Sequence, residues 1–384
     1  MKIALLTAGI WPIDIGGIQK HSYCLAKYLA QEKVFVDVFT SLNKDNNFEN
    51  LTIENFFTED ELKYINFIHI PFPKLFRIPG HYILSSWIFS KNIFQKMKSS
   101  KGYDVIYAQG FTSWYLLYKG CKMLKVKTIT NLHGMEMYQH VINFTAKYQQ
   151  YFLRIPASKI IQKSNWLISL GGKLSVILIE NGAKPSTIHV IPNGVDEHWL
   201  KKSSGENIQI SKRKFVFIGR YERRKGIEEL TEVLRELQTF PSVEFHFVGP
   251  IPNEKRFINE NIFYHGLINE TEKIKSILDG SDVLICPSHS EGMPTVILEA
   301  MACHCAIIAT DVGAVSLQVS HDNGWLIPTK NKKALEAAIL DAIDISQGQL
   351  LSKKDNSVKK VQELFLWENV AKMHIKFFGK ITRN

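Results

Sequence analysis

No stretch of this chain approaches the roughly 18 consecutive apolar residues that a membrane-spanning helix requires. Ile3 to Leu6, behind Lys2, imitates the start of a signal peptide, but Pro12 and Asp14 interrupt it and no small-residue cleavage site follows. The expectation is a cytoplasmic protein, free or held peripherally on the inner face of the cytoplasmic membrane. Cysteine is scarce. Cys24, Cys121, Cys286, Cys303 and Cys305 are odd in number and scattered through apolar surroundings, which excludes a disulfide framework and suits a reducing compartment. Cys303-His304-Cys305 looks like half of a metal clip, but no second Cys or His pair stands near it, so no metal ligand is assigned. Also missing are Gly-x-Ser-x-Gly, His-Glu-x-x-His and Asp-x-Asp, and with them the hydrolase elbow, the zincins and metal-clamped transfer. There is no repeat of 20–50 residues and no low-complexity block.

What remains is an ordinary soluble composition: 384 residues, 45% hydrophobic and 22% charged, enough for two domains. The net charge of +10 is unevenly placed. Residues 1–190 hold 22 Lys+Arg against 12 Asp+Glu, whereas residues 191–384 hold 25 of each. Between residues 62 and 190, 17 bases face only Asp104, Glu136 and Glu180. Such a surface implies an anionic partner, whether lipid headgroups, a pyrophosphate-bearing acceptor or nucleic acid, although lysine also serves solubility alone.

Short β-branched runs alternate with helical stretches, the pattern of parallel sheets covered by helices. The expected strands of a first series are Lys2–Thr7, Val34–Thr40, Phe67–Ile70, Val105–Tyr107, Lys127–Thr130, Trp166–Ser169 and His189–Ile191. A second series comprises Lys214–Gly219, Val243–Val248, Ile262–Tyr264, Val283–Cys286 and Ala306–Ala309. The polar stretch from Leu200 to Arg213 separates the two. Apolar residues at Val361, Leu364, Phe365, Val370, Met373 and Phe377 predict one or two closing amphipathic helices.

Four motifs lie where strands hand over to helices. Gly16-Gly17 opens a helix after the first strand and leaves backbone that a phosphate can approach, or simply makes a turn. His133 follows the strand Lys127–Thr130, where a lone histidine is either a site residue or a plain hydrogen-bonding one. Gly219-Arg220, followed by Arg223, Arg224, Lys225 and Gly226, sets phosphate-binding cations beyond a strand end, unless the run is a solvated loop. Glu291-Gly-Met-Pro-Thr295 leads through Pro294, suited to a first helical turn, into the helix carrying Glu299. N–H groups at Gly292, Met293 and Thr295 would face an anion there. Two acids beside an anion site suit neutral hydroxyls, as on sugars, although either can merely complement the helix dipole. Together these features describe a pocket for a nucleotide sugar.

Gly-Arg-x4-Lys-Gly at Gly219–Gly226, Ile191-Pro-Asn-Gly-Val-Asp196, and Glu291-x7-Glu299 with its Leu-Glu-Ala-Met-Ala302 resemble, in this order and spacing, the family 4 glycosyltransferases. Gly16-Gly17, His133-Gly134 and Asn323-Gly-Trp-Leu-Ile-Pro328 fit the same family, so the resemblance covers nearly the whole chain. It implies a GT-B architecture: two Rossmann-like doubly wound domains facing across a cleft, here residues 1–195 for the acceptor and 196–365 for the nucleotide sugar, with a final helix at 366–384 returning to the first domain. It implies retaining transfer of a sugar from a nucleotide diphosphate sugar of UDP or GDP type, with no required metal. Arg220 and Lys225 would bind the diphosphate, Glu291 the donor sugar and Glu299 the ribose; Gly17 would lie near the phosphates and His133 near the sugar.

The chain departs from the family pattern in three places. Cys303–Ala306 replaces a usual Cys-Gly-x-Pro, Ala314–Leu317 a usual Gly-x-Pro-Glu, and Tyr107-Ala-Gln109 a usual His-x-His. Phe72 to Phe94 interleaves Phe72, Phe76, Tyr82, Trp87, Phe89 and Phe94 with Lys74, Arg77 and Lys91, followed by Lys96, Lys98 and Lys101. That segment suits an interfacial surface meeting anionic lipid or a core helix, and both at once if only one edge is exposed. The leading expectation is a glycosyltransferase of cell-surface polysaccharide synthesis that extends a glycan or lipid-diphosphate-linked glycan. Its competitors are a sugar phosphorylase or nucleotide-sugar epimerase, and a non-catalytic nucleotide-sugar-binding subunit. A nucleic-acid binder has only charge in its favour.

Overall fold

A computed structural model of the chain describes residues 1–41, 52–73, 81–98, 102–120, 126–139, 144–201, 212–237 and 242–383, with side chains except at 144–147 and 149. The chain divides into two compact units, Met1–Asn193 with Trp367–Asn384, and Gly194–Leu366. Each is a parallel sheet covered by helices.

The first sheet runs β3-β2-β1-β4-β5-β6-β7. Its strands are β1 (Lys2–Leu6), β2 (Phe35–Thr40), β3 (Ile65–His69), β4 (Val105–Gln109), β5 (Lys127–Asn131), β6 (Trp166–Ser169) and β7 (Ile188–Val190). All pairings are parallel, with Ile3 opposite Val36 on one side and Val105 on the other. Strands such as Ile3-Ala4-Leu5-Leu6 are apolar at every position because helices cover both faces. The second sheet runs β10-β9-β8-β11-β12-β13, from β8 (Arg213–Ile218), β9 (Val243–Val248), β10 (Ile262–Gly266), β11 (Val283–Cys286), β12 (Ala306–Thr310) and β13 (Gly324–Ile327). In each sheet the strand order reverses between the first strand and the fourth, β1/β4 and β8/β11. Ligands of doubly wound folds bind beyond the carboxyl ends of the strands at such a reversal.

The edge strand β13 falls inside Asn323–Pro328, a segment that the expected strands did not include. It is four residues long and opens on Gly324, where a Cβ would run into the carbonyl of Ile307 on β12. Pro294 also differs from expectation, standing at the N-cap with extended ψ of 120° rather than inside the first turn. Its carbonyl accepts from Ile297 N at 3.3 Å, so the helix begins at Thr295 and runs to Ala302. Most of the polar stretch 200–213 lies outside the described residues, as do Lys74, Phe76, Arg77, Lys101 and Cys121.

Two apolar cores flank the first sheet. The helix His81–Lys98 is a core helix: Phe89, Ile93, Phe94 and Met97 are buried against Ala4, Leu6 and Ile106, and Phe72 packs on the same cluster. Only the start of that helix shows apolar side chains to water, at Tyr82 and Leu84. Packing on the sheet accounts for the buried stripe of this segment, because a helix covering a sheet must bury its apolar stripe there. On the other face, the helix Trp367–Thr382 buries Trp367, Val370, Ala371, Phe377 and Phe378 with Leu25, Tyr28 and Tyr107. Just before it, Leu366 N bonds to Val361 O, a wide turn of π type that carries Leu364 out to solvent, away from its expected apolar face.

Gly313 has a left-handed φ of 51°, and a Cβ there would meet the carbonyl oxygens of Glu291 and Gly292. The neighbouring Ala314 N donates to Gly292 O at 2.8 Å, so two loops are sewn together at this point. Gly313→Ala is expected to lower stability by about 1–3 kcal/mol in urea titration, with the denaturant slope unchanged. A midpoint equal to wild type would show that the close approach is dispensable.

Candidate functional site

In the second unit the loops after β8 and β11 meet because Gly226 has no side chain. It ends the turn Arg223–Lys225 with φ of 68°, and a Cβ on it would run into the carbonyl of Pro287. His289 N donates to Arg224 O at 2.7 Å, which ties the two loops together again. The consequence is an ion pair: Lys225 Nζ stands 2.6 Å from Glu291 Oε1. Ser288 Oγ donates to the same carboxylate oxygen at 2.9 Å, and Arg224 Nη1 lies 3.8 Å from the other. The Glu291 side chain is only 9% exposed, so this pair is screened far less than a surface one.

Around it stands a second polar cluster. Arg223 Nη1 is 2.5 Å from Glu229, and His289 Nε2 lies 3.0 Å from both. Arg220 is placed differently: its side chain is 70% exposed and 3.7 Å from Glu222, not against Glu291. Gly219, beside it, packs its carbonyl against the backbone of Gly249. Beneath the pair, Cys286 at the end of β11 keeps its proton, because burial first and the Glu291 carboxylate second push its thiol up to about 11.

From Glu291 the chain continues through Gly292, Met293 and Pro294 into the helix, with Met293 and Pro294 buried, Thr295 half-buried and Glu299 half-buried on its second turn. The departure at Ala314–Leu317 supports this entry, since buried Gln318, next in line, donates to Pro294 O at 3.0 Å. Cys303 and Cys305 lie at the far end, both buried. Their thiols donate to the carbonyls of Trp199 and Leu278, and burial raises the Cys305 thiol to about 12. His304 instead pairs with Asp355 at 2.7 Å. Among the described residues no group of three His, Cys, Asp or Glu side chains is placed to hold a metal ion.

In the first unit, the β1/β4 reversal gathers a buried network around Gln109, the last residue of β4. Its Oε1 lies 3.1 Å from His133 Nε2 and accepts from Ser22 Oγ at 3.0 Å, while its amide nitrogen is 3.2 Å from His21 Nδ1. An amide oxygen only accepts, so His133 carries its proton on Nε2 and keeps the Nδ1 lone pair. Asn131 Oδ1 takes the His133 N–H at 2.8 Å and helps hold its left-handed φ of 57°. The rings of His21 and His133 meet edge to face, 4.9 Å apart. His21 and Ser22 arrive on the helix Gly17–Gln31, whose first residues are Gly16 at the N-cap and Gly17, around which a Cβ would meet nothing within 4 Å. Tyr107, the other substituted position, accepts from Asn131 Nδ2 at 3.2 Å and lies 3.3 Å from His374 Nε2.

The structure thus joins Lys225 to Glu291 directly, adds Arg224 and Ser288 to them, and leaves Arg220 turned outward. Ser288 and His289 were not singled out from the sequence, since a Ser-His-Ser run carries no spacing signal. Their position immediately after a buried strand was the available cue. His21 and Ser22 were likewise missed, since they lie 88 and 87 residues from Gln109 in sequence and only the β1/β4 reversal brings them to it.

Burial holds His133 neutral down to about 3 and His374 to about 4, and it also lowers His21, aided by the other two histidines. In the unfolded chain each takes a proton near 6.5, so stability is full above that pH and falls as pH drops toward 4. Each such histidine contributes a slope of up to about 1.4 kcal/mol per pH unit. His374→Gln is expected to flatten the urea-stability profile between pH 6 and 4, and an unchanged slope would place the titration elsewhere.

Two family models match in tandem: one described as Glycosyltransferase Family 4 over residues 15–199 and one described as Glycosyl transferases group 1 over residues 201–361. The chain is 36% identical over 132 residues to the putative teichuronic acid biosynthesis glycosyltransferase TuaC of Bacillus subtilis, a segment covering 34% of this chain and 33% of that protein. Its fold matches sucrose-phosphate synthase from Thermosynechococcus elongatus with a TM-score of 0.81 at 20% identity, covering 99% and 98% of the two chains. Anabaena HepE in complex with UDP-glucose matches with a TM-score of 0.68 at 17% identity, over 99% of this chain and 100% of that one. With two Rossmann-like sheets of GT-B type and tandem family matches over most of its length, the chain belongs to the family 4 glycosyltransferases.

Proposed function

We propose that this glycosyltransferase moves a sugar, with retention of configuration and without a required metal, from a UDP- or GDP-type donor to a glycan or lipid-diphosphate-linked glycan of a cell-surface polysaccharide. The observation that carries this reading is the Lys225–Glu291 pair at the β8/β11 reversal. A diphosphate arriving there competes with Glu291 for Lys225, and the released carboxylate then accepts from the donor sugar's hydroxyls. The sugar–phosphate bond breaks with its electron pair moving to the diphosphate oxygen, while an acceptor hydroxyl oxygen bonds to the anomeric carbon from the same face and gives its proton to that departing oxygen. Lys225, Arg220 and the N–H groups of Gly292, Met293 and Thr295 stabilise that growing charge. Glu299 takes the ribose hydroxyls. Gly219 and the Gly16-Gly17 turn give the phosphates close backbone, and the Nδ1 lone pair of His133 accepts from a sugar hydroxyl. In this reading residues 196–365 hold the donor, residues 1–195 hold the acceptor, and the final helix belongs with the latter.

The acceptor side rests on charge. The 17 bases among residues 62–190 suit a pyrophosphate-bearing carrier and peripheral contact with the inner face of an anionic membrane, and no recognised module argues for nucleic acid. Among the described residues no helix is long and apolar enough to cross a membrane. TuaC, named for teichuronic acid biosynthesis, supports the polysaccharide assignment, and HepE bound to UDP-glucose supports the donor class.

A thermal-shift panel of UDP, GDP, ADP and CMP sugars tests the donor: one nucleotide class is expected to raise the midpoint, as preferential binding to the folded state requires. With that donor, Arg220→Ala and Lys225→Ala are expected to lower kcat by about tenfold or more while changing donor Kd less, and EDTA is expected to leave turnover unchanged. Equal losses in kcat and affinity would remove the transition-state role.

A further inference from the structure

A helix that docks by one face normally turns its polar face to water. The helix Phe144–Lys163 does not. Its inner face, Pro156, Ala157, Ile160 and Ile161, is buried in the first unit. Half a turn away, Tyr148, Tyr151, Phe152 and Ile155 follow the i, i+3, i+4, i+7 spacing of a single stripe and are 65%, 65%, 45% and 51% exposed. They form one patch, with ring centroids 5.5 Å apart for Tyr148 and Phe152 and 6.0 Å for Tyr151 and Phe152. On the next turn Lys159 is exposed along the same line. The helix contains no acid at all. At its end Lys163 Nζ sits 4.6 Å from the centre of the Tyr118 ring, and Tyr118, itself exposed, stands beside Lys119.

We propose that this face of the helix, Tyr148 to Ile155 with Lys159 and Lys163 at its border, is where the protein rests on an anionic lipid bilayer. The proposal builds on the reading of a lipid-linked acceptor and assigns the membrane contact to a surface other than Phe72–Phe94. Tyrosine and phenylalanine rings settle at the headgroup level, lysine stems lie along apolar surface while their ammonium groups reach lipid phosphates, and the absence of acid leaves nothing for an anionic surface to repel. A second copy of the chain is the poorer occupant. The unit bearing the patch holds 26 Lys+Arg against 13 Asp+Glu, so two such faces would oppose like charge.

The test is sedimentation of the full chain with phosphatidylcholine vesicles, with and without phosphatidylglycerol. Binding to the mixed vesicles at low salt, weakened by added salt, is expected. Tyr151→Ser/Phe152→Ser should cut the partition coefficient by about tenfold or more, since both rings are then lost from the interface. Lys159→Glu/Lys163→Glu should cut it on mixed vesicles alone. Ile155→Asn gives a second apolar variant on the same face should the double variant melt early. Wild-type protein that stays in the supernatant overturns the proposal, and so does binding that the apolar variants leave intact. Self-association in sedimentation velocity that Phe152→Ser disperses overturns it too, in favour of a second copy. The donor thermal shift separates the two readings. A shift without vesicle binding sinks this surface and spares the transferase assignment, whereas vesicle binding without any shift does the reverse.

Discussion

The closeness of two loops, rather than any single side chain, is what the donor half of this protein depends on. Gly226 and Pro287 touch backbone to backbone, Gly313 touches Glu291 and Gly292 in the same way, and Gly249 touches Gly219. Three positions without a Cβ therefore compress the carboxyl ends of the central strands into one small region. Lys225 meets Glu291 there with little water between them, and the low exposure makes the pair responsive to any competing anion. An exposed pair of the same residues would contribute little and switch nothing.

The first unit reaches order by another route. Its reversal point is filled with hydrogen-bonding groups that must satisfy one another away from water: Ser22, Gln109, His21, His133, Asn131, Tyr107 and His374. A buried amide cannot titrate, so Gln109 holds the His133 ring in one tautomer at every pH where the protein is folded. Tyr107 does the equivalent for Asn131 and His374. Gln109 and Tyr107 thus give His133 and His374 partners that stay uncharged while preserving a filled core.

Much of the sheet architecture was legible beforehand because parallel strands buried on both faces appear as uninterrupted apolar runs. Val283–Cys286 and Trp166–Ser169 match the observed strands to the residue. Gly324–Ile327 did not stand out, because an edge strand needs only one apolar face and this one opens on a glycine. The aromatic segment Phe72–Phe94 was ambiguous for a related reason. A stripe of Phe and Ile has the same spacing whether it covers a sheet or a membrane, and only the structure shows its packing against Ala4, Leu6 and Ile106. The outward stripe at Tyr148–Ile155 escaped notice because the helix carrying it is apolar on both sides and so has almost no periodic contrast.

The order of residue types along the chain was sufficient to determine a doubly wound fold, the family, and the set of cations and acids that end up at strand termini. These follow from local periodicity and from short motifs whose members are close in sequence. It could not say that Lys225 rather than Arg220 would hold Glu291, that Ser288 and Arg224 would join them, or that Gln109 would fix His133. Those outcomes depend on which loops a parallel sheet brings side by side. Strand order is set by the burial of whole helices against whole sheets, a property of the folded chain that no local pattern contains.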